Sequence, residues 1–312
     1  MRRGMVLASV ICVSYNDLKH LKRLFRSLER QSHKQFEVIV VDNARNAGVR
    51  EFVKSIQQRD RRRIVYVENS NQGYPGGNMA GLRYARGDYI LITNPDTVLD
   101  DYAIEFLIRG FSRQPKGVMV LVPKILIRQT GIINSIGMKR VRQSENIYTN
   151  IGYLQHDVGQ YDTPRKVEAF DGSAFMFRRE LLKHTYLFDS KFFFGNETVD
   201  LAERMSTLGF SAYTCPRAVV RHYLRGTVTS SQQNDKLTMI IVRNSLVHTL
   251  RNTDRGMFLR TLIIGMCFRN IFGRIATGQN RRLAITYLRG VIMFITQFGR
   301  FRSAPSLKEL GA

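Results

Sequence analysis

Short apolar runs alternate with longer amphipathic stretches along the first hundred residues. Val6–Val13 is β-branched and apolar, and it ends in a polar turn, Ser14-Tyr15-Asn16-Asp17. Leu18, Leu21, Leu24, Phe25 and Leu28 then recur at helical spacing with Lys and Arg between them, and Asp17 is placed to cap that helix. Residues 36–41, FEVIVV, predict a second strand that ends at Asp42-Asn43. Val49, Phe52, Val53 and Ile56 predict a helix over Val49–Gln58, and Ile64–Val67 a third strand. The Gly- and Asn-rich segment Asn69–Asn78 reads as a loop before a short helix, Met79–Ala85. Tyr89–Thr93 has the composition of a strand buried on both faces. It stops at Asn94-Pro95-Asp96, because Pro95 has no N–H to give a ladder.

This β-α-β-α-β-α-β order predicts an α/β fold, a mostly parallel sheet with helices on both faces. In such sheets the loops after the strands gather at the carboxyl edge, where ligands bind. Topology alone therefore brings Tyr15, Asp42, Asn71 and Asp96 together. Further on, AIEFLIRGF predicts a helix and Gly117–Pro123 a strand, while residues 124–166 read as an excursion of short strands and loops shaping an acceptor pocket. Ala169–Arg178 reads as a buried strand with a Gly-Ser break, LAERMSTLGF as a helix, and Ala212–Cys215 and Ala218–Arg221 as two short strands before His222. Leu237–Leu250 is a further helix. The apolar segments Met257–Phe272 and Leu283–Phe298 are interrupted by Arg260, Arg269 and Arg289, so neither reaches the length of a membrane span. They fit amphipathic helices on an anionic membrane surface, the alternative being a helical hairpin packed on the domain.

Composition adds limits. The chain has 312 residues, 44% of them hydrophobic, which suffices for a large core. Cys12, Cys215 and Cys267 fit no metal spacing and suggest a reducing compartment. The arginines and apolar run at the N-terminus imitate a signal peptide, but the run is β-branched and feeds a helix, so it reads as the first strand. The balance of 48 basic against 25 acidic residues gives +23, a field that attracts phosphate-bearing partners: nucleic acid, anionic membrane or nucleotide-linked substrates.

Each candidate residue is ambiguous alone. Asp96 with Asn94 suits a divalent cation bridging phosphates, or is ordinary turn chemistry. The Asn71–Asn78 segment could wrap a nucleotide, but it is neither a Walker A loop nor a GxGxxG fingerprint. Asp42 could accept from a base or ribose, or cap a helix. Glu197 and Asp200, where a loop becomes a helix, could supply a general base, or merely offset the helix dipole. His222 could ligate a metal, or be structural.

Six ordered stretches resolve the ambiguity: SVICVSYND, FEVIVVDNA, NSNQGYPGGNMAGLRYARGDYILITNPDTVLDD, DGSAFMFRRELL, FDSKFFFGNETVDLAERMSTLGF and VVRHYLRGT. Together they resemble family 2 glycosyltransferases of the GT-A fold, in the rhamnosyltransferase-like branch. The resemblance implies a GT-A domain over residues 1–234, with a Rossmann-like nucleotide-sugar half (1–100) and an acceptor half (101–234), followed by a helical tail (235–312). It implies that Val13 and Tyr15 line the nucleotide pocket, that Asp42 contacts the base, and that Asn71 and Asn78 lie near the nucleotide. Asn94-Pro95-Asp96 takes the place of the family's DxD motif, with Asp96 on Mg²⁺ or Mn²⁺, and His222 lies near the metal and diphosphate. The family block Glu-Asp-x-Asp is here Glu197-Thr198-Val199-Asp200, so Thr198 stands where the base is expected. Glu197 is the favoured replacement and Asp200 the second. The implied activity is inverting transfer of a sugar from a nucleotide-diphosphate donor to a glycan or lipid-linked acceptor, at the cytoplasmic membrane face. The alternatives are a catalytically weakened homologue that binds, a nucleotidyltransferase lacking a clear triphosphate loop, and a nucleic-acid-binding protein with only charge in its favour. No nucleic-acid partner is expected.

Overall fold

The computed structural model describes residues 7–142, 147–224, 231–252, 258 and 281–301. The first half alternates as the sequence predicts. The elements are β1 (Ala8–Ser14), α1 (Leu18–Arg30), β2 (Phe36–Asp42), α2 (Ala47–Arg59), β3 (Ile64–Glu68), α3 (Gly73–Leu82) and β4 (Tyr89–Thr93). Then follow β5 (Thr97–Leu99), α4 (Ala103–Ser112), β6 (Val118–Ile127), β7 (Ile133–Ser135), β8 (Met138–Arg142), β9 (Ile147–Asn150), β10 (Lys166–Val167) and β11 (Ala174–Arg178). The last described elements are α5 (Glu197–Thr207), β12 (Ser211–His222), α6 (Ser231–Asn252) and α7 (Arg281–Gln297). Asp17 caps α1, its Oδ1 accepting from the backbone N–H of His20.

One sheet runs β10-β12-β6-β11-β4-β1-β2-β3, with β5 on β12 and β7 on β6. β3, β2, β1 and β4 are mutually parallel, β6 and β12 are parallel to each other, and β11 enters antiparallel between β4 and β6. This is a mostly parallel α/β sheet with helices on both faces. Two apolar layers cover it, one against α1, α2 and α4, the other against α3 and α5. From β1 the chain winds outward to β2 and β3, then returns to β4 on the other side of β1. The order therefore reverses at β1, and a crevice opens beyond the carboxyl ends of β1 and β4.

Two expectations differ in detail. The pair of strands expected over 212–221 is one strand, β12, whose register slips between Cys215 and Val219. The loop expected over Asn69–Asn78 is helical from Gly73 on. Pro75 sits in the first turn, where its missing N–H costs nothing. The glycines serve packing rather than flexibility: a Cβ on Gly77 would lie 2.6 Å from Val13 Cγ1, and one on Gly81 2.7 Å from Ile11 Cγ2 and 2.9 Å from Val41 Cγ2. α3 thus lies close against β1 and β2. Gly81→Ala is expected to lower stability by about 1–3 kcal/mol through overpacking, and urea unfolding of the two proteins measures it.

The C-terminal helices pack on each other and on the domain. Val242, Leu246 and Val247 of α6 meet Val291 and Phe294 of α7 and Phe192 of the domain. Buried Asp189 accepts from Arg251 of α6 at 2.9 Å. Among the described residues no helix is long and apolar enough to cross a membrane. The segment Met257–Phe272, apart from Phe258, lies outside the described residues.

Candidate active site

The parallel register aligns Ser14 with Asp42 and Asp42 with Glu68, so the strand ends form one edge. At that edge Asn94-Pro95-Asp96-Thr97 makes a turn, Thr97 N–H donating to Asn94 O at 3.3 Å. Pro95 at its second position suits this geometry. The turn feeds β5, which pairs with β12 so that Thr97 lies opposite His222. Asp96 is thereby carried to the end of β12, where His222 Nε2 lies 3.1 Å from its Oδ1 and Tyr223 N–H donates to its backbone carbonyl at 2.9 Å. Both side chains are nearly buried. Burial opposes a charged imidazole, but the hydrogen bond to Asp96 and its charge outweigh that and raise the His222 pKa.

Across the crevice, β11 pairs with β4 so that Ala174 faces Thr93, and Asn94 N–H donates to Ser173 O at 2.9 Å. The preceding Asp171-Gly172 therefore lies beside the Asn94–Asp96 turn. Tyr74 Oη of α3 donates to Gly172 O at 2.5 Å. A Cβ on Gly172 would sit 3.5 Å from Thr198 Cγ2 and 3.6 Å from Glu197 Oε1. The first turn of α5 thus closes the site opposite the Asp96–His222 pair. Glu197 is buried, and its Oε2 has no hydrogen-bond partner among the described residues. Burial pushes its carboxyl up to about 7, the backbone amides at Glu197 and Gly195 opposing and the charges of Asp171 and Asp200 adding.

The remaining predicted residues spread along the same edge. Val13 packs under Gly77 of α3, while Tyr15 is exposed at the rim. Asn71 is exposed, and its Oδ1 accepts from Gly73 N–H at 3.1 Å. Asn78 is fully buried; its Nδ2 donates to Tyr74 O at 2.9 Å. Asp42 accepts from the backbone N–H groups of Ala44 (3.0 Å) and Asn46 (2.7 Å) and from Tyr66 Oη (2.9 Å), so it shapes the turn after β2. The helix cap there is Asn46. Asp200, the second candidate base, lies one turn into α5. Its Oδ2 accepts from Arg204 Nε at 2.9 Å, and Arg204 also holds Tyr186 O and Leu187 O, so this carboxylate is engaged in a structural ion pair. Asp171 and Tyr74 were given no role from sequence. Asp171 reaches the crevice through the β4–β11 pairing, and Tyr74 through the packing of α3 on β1 and its hydrogen bond to Gly172 O.

The arrangement fits a divalent cation. Asp96 and His222 offer an oxygen and a nitrogen donor. Ser14 Oγ, Ser173 Oγ, Asn78 Oδ1 and His222 Nδ1 are buried without partners among the described residues, as polar atoms facing a ligand would be. Among the described residues no three His, Cys, Asp or Glu side chains cluster closely enough to hold a metal. Two protein donors would leave other positions for phosphate oxygens and water.

Comparison with known proteins agrees with this architecture. The profile described as Glycosyl transferase family 2 matches residues 9–185. An uncharacterized glycosyltransferase of Methanocaldococcus jannaschii is 36% identical over 95 residues, 30% of this chain and 32% of that protein. The N-acetylglucosaminyl-diphospho-decaprenol L-rhamnosyltransferase of Mycobacterium tuberculosis is 25% identical over 236 residues, 69% of this chain and 75% of that one. The match thus spans about a third of the first relative's length and three quarters of the second's. Among solved structures, the mannosyltransferase PcManGT from Pyrobaculum calidifontis, in complex with GDP-Man and Mn²⁺, superposes with a TM-score of 0.58 at 14% identity, covering 92% of this chain and 86% of that one. GalNAc-T7 with UDP, GalNAc and Mn²⁺ gives 0.64 at 16% identity, over 80% and 48%. At these identities the structures share the fold.

Proposed function

The chain belongs to glycosyl transferase family 2, and on that premise we propose that it is an inverting, metal-dependent transferase. It would move a sugar from a nucleotide-diphosphate donor to a glycan or lipid-linked acceptor for cell-surface polysaccharide or glycoconjugate synthesis. The rhamnosyltransferase relative favours a deoxyhexose donor and a lipid-diphosphate acceptor. The observation that carries the reading is the pairing across one crevice of Asp96–His222 with a buried carboxyl, Glu197, poised at about 7. A general base works best with its pKa near the operating pH.

The nucleotide lies along the β1–β2 edge, between Val13, Tyr15, Asp42, Asn71 and Asn78. Asp96 and His222, with Asn94 beside them, would hold Mg²⁺ or Mn²⁺. When bound, that cation neutralises the diphosphate leaving group. Glu197 takes the proton of the attacking acceptor hydroxyl, while Tyr74 and Gly172 close the wall between donor and acceptor. Thr198 lies against Gly172 and, as a neutral hydroxyl, does not take the acceptor's proton. A catalytically weakened binding homologue is the reading that Thr198 alone would favour; the raised carboxyl next to it favours an enzyme.

Calorimetric titration with UDP, GDP and dTDP, each with Mn²⁺ or chelator, tests the donor site. Metal-dependent binding of one nucleotide is expected; well-folded protein that binds none of them would sink the reading.

For the acceptor side we propose a peripheral seat on anionic membrane. Ile285, Leu288, Ile292 and Ile295 form an exposed apolar row on α7, with Arg282 and Arg289 alongside. Truncation after Leu250 would uncover the buried face of α6, so point charges are the cleaner probe. Leu288→Glu with Ile292→Glu is expected to weaken sedimentation with phosphatidylglycerol vesicles at least about tenfold, from lost apolar burial alone. Undiminished sedimentation would place the contact elsewhere.

A further inference from the structure

The loop that carries Glu197 does not hold its own shape. Phe193 (φ 62°), Gly195 (φ 84°) and Asn196 (φ 67°) are all left-handed within four residues. For Phe193 this backbone is unfavourable and persists only when surroundings over-determine it, whereas Asn tolerates it better. The loop's own backbone bonds lie at its two ends and across its first turn: Phe192 N–H to Asp189 O at 3.1 Å, Phe193 N–H to Ser190 O at 3.3 Å, Phe194 N–H to Phe192 O at 2.7 Å, and Asp200 N–H to Asn196 O at 2.9 Å. From α3, Tyr74 N–H donates to Phe193 O at 2.8 Å.

The rest comes from α6. Asn244 is fully buried, and its Nδ2 donates to Phe192 O (2.8 Å), Phe194 O (2.8 Å) and Gly195 O (2.9 Å). Its Oδ1 accepts from Arg243 Nε (3.0 Å) and Nη2 (2.7 Å), which fixes the amide with its N–H groups toward the loop. Arg243 Nη2 also donates to Phe192 O at 2.9 Å, and Asn196 Nδ2 donates to Ser245 Oγ at 2.7 Å. Gly195 and Asn196 immediately precede Glu197, so any relaxation there moves the carboxylate. Asn244 lies outside the residues matched by the family profile.

We propose that Asn244 is a positioning residue for transfer, clamping the Phe192–Asn196 loop so that Glu197 stays buried and aimed at the acceptor hydroxyl. The proposal rests on Glu197 being the base. Displacing a reacting group by about 1 Å can cost 10²-fold in rate.

The test compares full-length wild type, Asn244→Ala, Ser245→Ala and Glu197→Gln, measuring nucleotide affinity, kcat, KM and the pH dependence of kcat below each protein's melting temperature. Asn244→Ala is expected to lower kcat roughly 10–100-fold with nucleotide affinity unchanged. It should also move the acidic limb of the profile downward, because water reaches a carboxylate otherwise faced by Tyr74, Asp171 and Asp200. A purely structural role would lower melting temperature and leave kcat per folded molecule and the limb in place; that result overturns the proposal. Should Asn244→Ala fail to fold, Ser245→Ala decides, with a reduced kcat at unchanged melting temperature expected and an unchanged kcat overturning the clamp. Glu197→Gln separates the two ideas: full activity there sinks the base assignment and the clamp with it. An impaired Glu197→Gln beside a fully active Asn244→Ala sinks the clamp alone.

Discussion

Glu197→Gln is expected to cut transfer about 10²–10⁴-fold, the usual worth of general-base help, while donor affinity stays as in the wild type. The wild-type rate should rise with pH through about 7, the value to which burial lifts this carboxyl, and the variant should lose that limb. The same change should stabilise the protein. A carboxyl whose pKa is higher folded than unfolded favours folding at low pH, and that contribution is lost as pH rises from the unfolded value of 4.5 through about 7. At pH 8 the wild type therefore carries a penalty of up to roughly 3 kcal/mol that Gln does not. Melting curves at pH 5 and pH 8 should show the variant gaining only at the higher pH. Lost activity together with gained stability is the signature of a functional group buried against its preference. Full turnover in the variant would mean that the proton goes elsewhere.

The second large effect is expected at Asp96. Asp96→Ala should abolish metal-dependent nucleotide binding and reduce transfer below detection, since the turn leaves no other carboxylate at that position. Because Asp96 and His222 are paired at 3.1 Å, the variant also strips the imidazole of its partner. His222→Gln, which keeps a polar side chain, should weaken binding less. Titration with and without Mn²⁺ reads both. Binding that survives in Asp96→Ala would remove Asp96 from the metal site.

Much of this was legible from residue order. Tyr89–Thr93 followed by Pro95 announces a strand that stops at a carboxylate, because Pro has no N–H to donate to a ladder. The alternation that places Tyr15, Asp42, Asn71 and Asp96 on one edge is equally visible. What escaped depends on partners distant in sequence. Glycines 73, 76 and 77 look like a loop, yet they are small because Gly73 sits beside the Phe193 carbonyl, Gly76 under the side chain of its own helix's N-cap, Gln72, and Gly77 against Val13. The sequence favours Glu197 over Asp200 but does not show that the Arg204 guanidinium, one turn on, engages Asp200. Asp171 gains meaning from an antiparallel strand that no local periodicity specifies. Asn244 sits in a helix whose sequence reads as part of a tail.

That last helix bears on how the protein comes into being. The carbonyl of Gly195 waits for an amide 49 residues further along the chain. At roughly 5–20 residues per second, a growing polypeptide would have made β1–β4 several seconds before the loop ahead of Glu197 could be pinned. A nascent chain would thus acquire the capacity to grip a donor before the capacity to spend it, and competence for transfer would arrive only as α6 docks.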